Sequence, residues 1–347
     1  INQKEGKFDY ITPKAPKGEK PYRFNWQTPI LLSSHNQDIL YMGSEFLHRS
    51  MNQGETWERI SGDLTNGAKE GNVAFGTIST ISESKFQFGL LYTGSDDGKI
   101  HVSKDGGVSW QLISGNLPQN LWVSRVAASS HKKERVYATL NGYRNDIFES
   151  YAFVSDDFGT TWTSISNGLT QAVNVIVEDS ANENILYVGT DNGLFISLDK
   201  GASWQDFSNG MPNVAVHDAV IQTKAKELIV GTHGRSLYKI DISKVQELTK
   251  DVLTKNLHLF KVNDRTKSDR WGSQNYAWGK PSEPSQTIWF YSNTDGIVTI
   301  SVTNEAGIVV HTQKVEAKKG LNSFNFDYSM PKNVADNWNK KDKNVKL

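Results

Sequence analysis

The sequence predicts an all-β protein, namely a β-propeller of five four-stranded blades followed by a small C-terminal β-sandwich. Three observations support this prediction. One eight-residue motif occurs four times, short runs rich in β-branched and aromatic residues recur between turn residues, and the 347-residue chain has 28 Gly but few long helical patterns. Repeats of about 40 to 50 residues built from short strands are typical of propeller blades.

The repeated motif reads Ser-x-(Asp/Asn)-x-Gly-x-(Ser/Thr)-Trp, where x is any residue. Its copies end at Trp57, Trp110, Trp162 and Trp204, so they are 53, 52 and 42 residues apart. An Asp at the third position can accept backbone N–H bonds within a tight turn, and the Gly supplies a positive φ. We therefore predict a structural and not a catalytic role for the third residue of each copy: Asn52, Asp105, Asp157 and Asp199.

The fourth copy shows how a blade is built. Within 172–208, four short apolar or alternating runs are separated by turn residues, and the motif connects the third run to the fourth. The fifth unit contains the run Leu228–Ile240 but lacks the motif. The predicted blades lie at about 26–61, 74–114, 122–166, 172–208 and 214–243.

The four motif copies resemble the Asp-box, or BNR, repeats of sialidases, xyloglucan-acting glycosidases and sortilin-type (Vps10) receptor propellers. The runs Arg23–His35 and Gly231–Ser236 are similar to the later half of large bacterial proteins of the BNR-repeat glycosyl hydrolase or sortilin-like type. The resemblance covers about residues 20–245 and implies a longer parent with about ten blades. The chain also begins at Ile1 without an initiator Met or a signal-like stretch, so we expect a piece of a longer protein.

The remaining segments differ from the blades in composition. Residues 1–22 are predicted as an extended arm, and 23–243 as the propeller. We expect a linker over 244–286, with one short helix near its start and a loop carrying Trp271, Tyr276 and Trp278. Residues 287–347 alternate as strands do and resemble the Ig-like module of the flagellar hook-capping type, so we predict an Ig-like β-sandwich that is incomplete at its C-terminal end.

Composition excludes several classes of function. Lys and Arg together number 38, as do Asp and Glu, so no net field would attract nucleic acid. The absence of Cys removes disulfides, thiolate metal sites and a Cys nucleophile. No apolar run approaches the ~18 residues of a membrane-spanning helix. Together with the resemblance, this leads us to expect an extracellular, cell-surface or periplasmic protein.

Antiparallel blades place the loops between their second and third strands at the face opposite the motif. The links between blades reach the same face, where propellers usually bind ligands. The third of these loops, 141–146, is the longest, which suggests a role beyond turning. We predict ligand contacts from this face by Trp122, Tyr143, Arg144, Asp146, His233 and Arg235, although each could also serve packing or the turn itself.

Two functions from different classes follow from this face. The first is a binding module for a glycan, a peptide or a partner protein. The missing remainder of its own longer chain is one possible partner. The alternative is a glycoside hydrolase with carboxylates about 5 to 9.5 Å apart. Its pair would come from Asp96 or Asp97 with Asp146 or Asp191. A purely structural scaffold is a third possibility, whereas the run at Arg23 lacks the opening motif of a sialidase.

No cofactor is predicted. The chain contains none of the nucleotide-binding, zinc-protease or serine-nucleophile motifs, and its eight His are scattered singly. The acidic pairs Asp96-Asp97 and Asp156-Asp157 could hold Ca²⁺, but neither follows the twelve-residue EF-hand spacing.

Overall fold

The computed structural model describes residues 6, 10–71, 74–266, 268–274, 276–328 and 332. The chain divides into two compact units, Ile1–Ile242 and Ser243–Leu347. The predicted incompleteness of the sandwich concerns the C-terminal end, which lies outside the described residues apart from Lys332.

The described residues of the first unit form five antiparallel sheets, and within each sheet the strands pair in chain order. We call these sheets blades one to five. Their strands are β1 Ile30–Leu32, β2 Leu40–Gly43, β3 Leu47–Ser50, β4 Glu58–Arg59; β5 Ile78–Glu83, β6 Leu91–Ser95, β7 Ile100–Ser103, β8 Gln111–Leu112; β9 Trp122–Ala128, β10 Val136–Gly142, β11 Ile147–Ser155, β12 Thr163–Ser164; β13 Val173–Glu178, β14 Leu186–Thr190, β15 Gly193–Ser197, β16 Gln205–Asp206; and β17 Val216–Gln222, β18 Glu227–Thr232, β19 Leu237–Asp241.

The repeated motif forms the turn between the third and fourth strands of blades one to four. In blade three, Asp157 Oδ1 accepts hydrogen bonds from Thr161 N at 2.8 Å and Ser155 Oγ at 2.7 Å, and Oδ2 accepts one from Thr161 Oγ1 at 2.7 Å. These bonds, led by the one from Thr161 N, lower the pKa of Asp157 to about 2. The carboxylate is therefore occupied in holding the turn. The equivalent side chains accept from the residue four positions on in the same way: Asn52, Asp105 and Asp199.

The motif tryptophans join neighbouring blades at the outer rim. Trp110 Nε1 donates to Ile60 O of blade one at 3.0 Å, and Trp162 and Trp204 make the same bond to Ile113 O and Ile165 O. Each indole N–H thereby gains a partner although the ring is partly buried between blades. In blade one, Trp57 Nε1 donates instead to Ile11 O of the arm.

A second contact joins only alternate pairs of blades. Ser33 Oγ and Tyr41 OH of blade one both donate to Glu83 of blade two, at 2.6 and 3.0 Å. Blades three and four repeat this arrangement with Ser129, Tyr137 and Glu178. We call these two arrangements the Ser–Tyr–Glu clamps. Burial and the nearby glutamate charge raise the pKa of both tyrosines, so both hydroxyls remain protonated donors.

The equivalent tyrosine of blade two lacks this contact. Within the described residues the buried hydroxyl of Tyr92 has no hydrogen-bond partner. The hydroxyl of Tyr187 in blade four donates to Asp179 Oδ2 of its own blade at 3.5 Å and not to the next blade. Blades two and three, and blades four and five, are therefore held together without a clamp.

The fifth blade differs from the prediction because it has three strands instead of four. The motif is missing from its sequence, so no turn returns the chain along the outside of β19. Ile242 follows the strand directly, and the chain then enters a short helix of the second unit.

The second unit begins with two one-turn helices, α1 Ser243–Gln246 and α2 Lys250–Leu253. The sequence predicted a single short helix in this segment. Thr249 interrupts them, because its side chain caps the second helix by accepting from Val252 N. A three-stranded sheet and a two-stranded sheet follow, and β20 comes from the segment predicted as a linker. The strands are β20 Leu257–Leu259, β21 Gln286–Ser292, β22 Gly296–Thr303, β23 Val309–Ala317 and β24 Gly320–Phe326.

The two sheets of the second unit share one small core. Ile288 and Phe324 of the three-stranded sheet are buried and pack with Ile300 and Val302 of the two-stranded one. This arrangement gives the small β-sandwich that the sequence predicted.

Glycines in the second strands let neighbouring blades approach closely. A Cβ at Gly189 would lie 2.5 Å from Val216 Cγ1 of the next blade, and one at Gly94 would lie 2.4 Å from Val123 Cγ1. Gly231 holds the same position in blade five, but no atom would lie closer than 3.6 Å to its Cβ.

We expect the substitution Gly189→Ala to lower the free energy of unfolding by ~1–3 kcal/mol, because the added methyl would overlap Val216. Urea unfolding measures the change. The matched variant Gly231→Ala has room for its methyl group and should change stability little. Equal losses in the two variants would contradict the close approach at Gly189.

Candidate functional site

One face of the first unit carries the loops between second and third strands together with the links between blades. In blades two, four and five, a hydrogen bond ties this loop to the link of its own blade: Asp96 N to Thr77 O, Asp191 N to Ala172 O, and His233 N to Ala215 O. The motif turns lie at the opposite ends of the strands. We call the first of these faces the mouth face.

The inner strands of blades two to five share an irregularity close to the mouth face. In each, the antiparallel register skips one residue, so the innermost strand carries a β-bulge. Bulges redirect a side chain and occur often beside functional sites. The skipped residues are Ser79, Ser124, Asn174 and His217.

The bulge residue changes its role along the array. In blades two and three it is a serine that donates to the next blade, Ser79 Oγ to Val123 O at 2.7 Å and Ser124 Oγ to Val173 O at 2.8 Å. In blade four, Asn174 Nδ2 donates instead to Asp191 Oδ1 at 2.8 Å. Polar groups that close the joint between blades are thus replaced by larger side chains that reach the mouth face.

An open pocket of about 470 Å³ lies where this change occurs. Such a volume is typical of small-molecule sites. Three predicted ligand residues line it, namely Trp122, Tyr143 and Arg144. The other lining residues were not predicted as site residues: Asn25, Trp26, Gln27, Ser124, Asn141, Asn174 and His217.

The long loop of blade three positions the predicted side chains. Asn141 Oδ1 accepts from Tyr143 N at 2.8 Å, and Asn145 Nδ2 donates to Asn120 O of the preceding link at 2.9 Å. These bonds fix a single 3-10 turn over Tyr143–Asn145, which holds the Arg144 guanidinium 4.0 Å from the centre of the Trp122 ring. This cation–π contact gives the pocket a flat, cationic wall.

The floor of the pocket is a chain of amides. Asn141 Nδ2 donates to Asn174 Oδ1 at 2.7 Å, and Asn174 in turn donates to Asp191. His217 lies beside this chain, with its ring centre 5.1 Å from that of His233. The predicted residues His233 and Asp191 therefore belong to the surroundings of the pocket, although neither lines it.

The electrostatics of the pocket favour a neutral His217. Burial, followed by the proximity of His233, lowers the pKa of this imidazole, whereas Asp191 acts in the opposite direction. Arg144 makes no ion pair among the described residues, while Arg125 nearby is paired with Asp218.

The other predicted site residues lie elsewhere on the mouth face. Asp146 occupies a left-handed position with φ of 55° at the end of the 3-10 turn. Arg235 is exposed in the turn of blade five and does not line the pocket.

Asp96 and Asp97 are 3% and 2% exposed and hold the links between blades. Asp96 accepts from Thr77 N and Oγ1, Gly76 N and Asn25 Nδ2, at 2.7 to 3.1 Å. Asp97 accepts from Asn66 N at 2.6 Å. Burial raises the pKa of Asp96, and the bonds from Thr77 counter that effect. In the described part of the chain, no contact joins either carboxylate to Asp146 or Asp191.

Sequence reasoning missed the bulge residues because Asn174 lies in an otherwise apolar run, and His217 in a run whose only other polar residue is Asp218. The available signal was the comparison of repeats, since Ser79 and Ser124 occupy the same position in the two preceding blades. Among the described residues, no group of three or more His, Asp or Glu side chains could hold a metal ion. None of the described helices is long and apolar enough to cross a membrane.

Radially repeated four-stranded sheets with a pocket at one face define the first unit as a β-propeller. The sequence matches no protein-family model and no curated protein. Solved structures show the same fold. An ancestral GH74 enzyme is similar with a TM-score of 0.51 and 15% identity, over 86% of this chain and 39% of that one.

A GH74 xyloglucanase from Xanthomonas campestris is similar with a TM-score of 0.50 and 13% identity, over 87% of this chain and 46% of that one. The structure of YCF48 bound to D1 peptide gives a TM-score of 0.45 and 13% identity, over 65% and 67%. The chain thus spans less than half the length of either GH74 structure. At these identities, the likeness to the two GH74 structures shows the propeller fold and no more.

We expect His217 to titrate below its ordinary pKa of 6.5, because burial and His233 both disfavour the charged ring. The substitution Asp191→Asn removes the one opposing charge and should lower the pKa further, whereas His233→Gln should raise it. NMR titration of the imidazole protons measures all three values. A wild-type pKa at or above 6.5 would contradict this description of the site.

Proposed function

We propose that the protein is a binding module of the Asp-box (BNR) propeller type, which takes a glycan, a peptide or a partner protein at the mouth face. The observation that carries this proposal is the pocket at blades three to five. There the regular Ser79 and Ser124 contacts give way to Asn174 and His217, and the Trp122–Arg144 stack forms one wall.

The composition of the pocket supports a polar ligand with flat faces. Sugar rings and peptide planes stack on aromatic surfaces, and side-chain amides and imidazoles supply donors and acceptors that fix orientation. Trp26 is 90% exposed and offers a second aromatic surface at the pocket. We also propose an extracellular, cell-surface or periplasmic location, with the Ig-like second unit as a spacer or attachment unit.

Glycoside hydrolysis is the alternative, and it would need two carboxylates facing one bound sugar. Asp96 and Asp97 are buried and bonded to the links, which supports a structural role for both. Asp191 contacts the pocket residue Asn174 and is the carboxylate best placed for such chemistry. A test of glycan binding should therefore also measure the release of reducing ends from the glycan.

Binding to glycan and peptide arrays should identify ligands of the wild-type protein, and Trp122→Ala or Arg144→Ala should weaken that binding about tenfold or more. A tenfold loss corresponds to about 1.4 kcal/mol, which is a reasonable cost for removing a desolvated stacking contact. Calorimetry with the array ligand measures the affinity.

The control variant is Val108→Ala, because Val108 is 87% exposed in a motif turn at the opposite face. Unchanged affinity in both pocket variants would exclude the pocket as the binding site. Release of reducing ends from the array glycan, abolished by Asp191→Asn, would instead support the hydrolase.

A further inference from the structure

The chain of amides on the pocket floor has only one possible direction. Asp191 stands at one end, and a carboxylate can only accept, so Asn174 must turn its Nδ2 toward it. Tyr143 N stands at the other end, and a backbone N–H can only donate, so it must meet Asn141 Oδ1. The bond between them, from Asn141 Nδ2 to Asn174 Oδ1 at 2.7 Å, agrees with both ends. Groups that have no choice of role therefore fix the orientation of both amides.

This direction leaves hydrogen-bond donors free on the floor. Each asparagine Nδ2 carries two hydrogens, and the chain of amides uses one of each. Each Oδ1, in contrast, already accepts a bond from within the protein. One N–H of Asn141 and one of Asn174 therefore remain for a ligand, and we call these two groups the floor donors.

The wall of the pocket adds further donors and one positive charge. Arg144 is the one charged side chain among the lining residues at pH 7, because burial lowers the pKa of His217 and keeps that ring neutral. A guanidinium donates and does not accept, and the same holds for the indole N–H of Trp122 beneath it. Every lining group whose hydrogen-bonding role is fixed and still open is thus a donor.

The carboxylates around the pocket do not neutralise this charge. Asp191 is bonded to the floor, and Asp218, which follows His217 in the chain, is paired with Arg125. Asp146, at the end of the 3-10 turn, is exposed to solvent and does not line the pocket. An anion that enters the pocket therefore meets the guanidinium of Arg144 without a competing acid in the lining.

The other polar lining groups do not select between ligands. Asn25 is already saturated as a donor, since its Nδ2 donates to Thr77 Oγ1 and to Asp96 Oδ2 at 3.0 and 3.1 Å. The amide of Gln27 and the hydroxyl of Tyr143 can each donate or accept, as the ligand requires. The selection therefore depends on the floor donors and on Arg144, which favour a ligand rich in acceptors and negatively charged.

We propose that the pocket binds a hexuronate unit of an acidic glycan. The sugar carboxylate pairs with Arg144, the hydroxyl and ring oxygens accept from the floor donors, and the ring lies against the aromatic surfaces of Trp122 and Trp26. The volume of about 470 Å³ exceeds what a free ion needs and suits a small organic unit. The proposal rests on the proposed function, since it names the ligand class of that same pocket.

The fixed donors favour a sugar over a peptide. A peptide brings one backbone N–H for nearly every carbonyl, and a donor facing another donor stays unpaired at a cost in free energy. A sugar hydroxyl rotates and can accept at each contact, and a carboxylate only accepts. A neutral sugar would satisfy the floor donors but would leave Arg144 without an anion.

Paired glycan probes test the charge. The probes are trisaccharides of galacturonate and of glucuronate, each with a counterpart whose carboxyl groups are reduced to alcohols. By calorimetry at pH 7 and low salt, we expect at least one acidic probe to bind about tenfold or more tightly than its reduced counterpart. Arg144→Gln should remove most of this preference, whereas Arg144→Lys keeps the charge and should retain part of it.

A second variant tests the floor donors. Asn174→Ser installs the residue that blades two and three carry at the bulge, where Ser79 and Ser124 donate to the next blade. The bulge is then retained, while one floor donor is lost. The acidic probe should bind about fivefold more weakly to this variant, with an unchanged melting temperature. Val108→Ala, at the opposite face, should change neither quantity.

The outcomes separate this proposal from the proposed function. Equal affinity for acidic and reduced probes would overturn the hexuronate, and so would a peptide or neutral glycan that binds more tightly than the acidic probes. If Trp122→Ala weakens the binding of such a ligand, the pocket remains a binding site with another ligand class. If no glycan or peptide binds at the pocket, both proposals are wrong. Unchanged affinity of Asn174→Ser for the acidic probe would contradict the role of the floor donors.

Discussion

The hydrogen bond from a motif tryptophan to the isoleucine carbonyl of the preceding element is the interaction on which the first unit depends. It sets the spacing of blades at the rim, and the motif glycine allows the isoleucine to lie against the turn. With the rim fixed, the second strands and the next inner strands come into contact at Gly94 and Gly189. The bulges, and with them the pocket, are then placed by the same repeated geometry.

The sequence predicted most of this framework because the framework repeats. Four motif copies identified the turns, and periodic runs identified the strands, so the propeller blades and the sandwich are confirmed. Propensity alone failed at residues 244–259, where Thr249 divides one helical pattern into two short helices. The segment Leu257–Leu259 also forms a strand, because it pairs with β21, and the local sequence pattern does not indicate a pairing with so distant a segment.

The site was predictable in part and for a different reason. Trp122, Tyr143 and Arg144 were found because the loop that carries the last two is longer than its counterparts, which is visible in one sequence. Asn174 and His217 were not found, because a single sequence does not show that a polar residue within a strand is a bulge residue. Only the strand register shows that the bulge turns each of these side chains away from the core. Deviation from the repeat, and not the repeat itself, marks the candidate site.

The Ser–Tyr–Glu clamps divide the propeller into pairs of blades. Blades one and two share one clamp and blades three and four share the other, whereas the intervening joint leaves the Tyr92 hydroxyl buried without a bond. A buried unsatisfied hydroxyl costs about 1–3 kcal/mol, and at this joint the apolar cluster that packs Tyr92 of blade two with Val126 of blade three offsets that cost. In repeat arrays, local opening starts at the weakest interface. Blade five, which has three strands and no clamp among the described residues, is accordingly the part of the array where local opening is expected to begin.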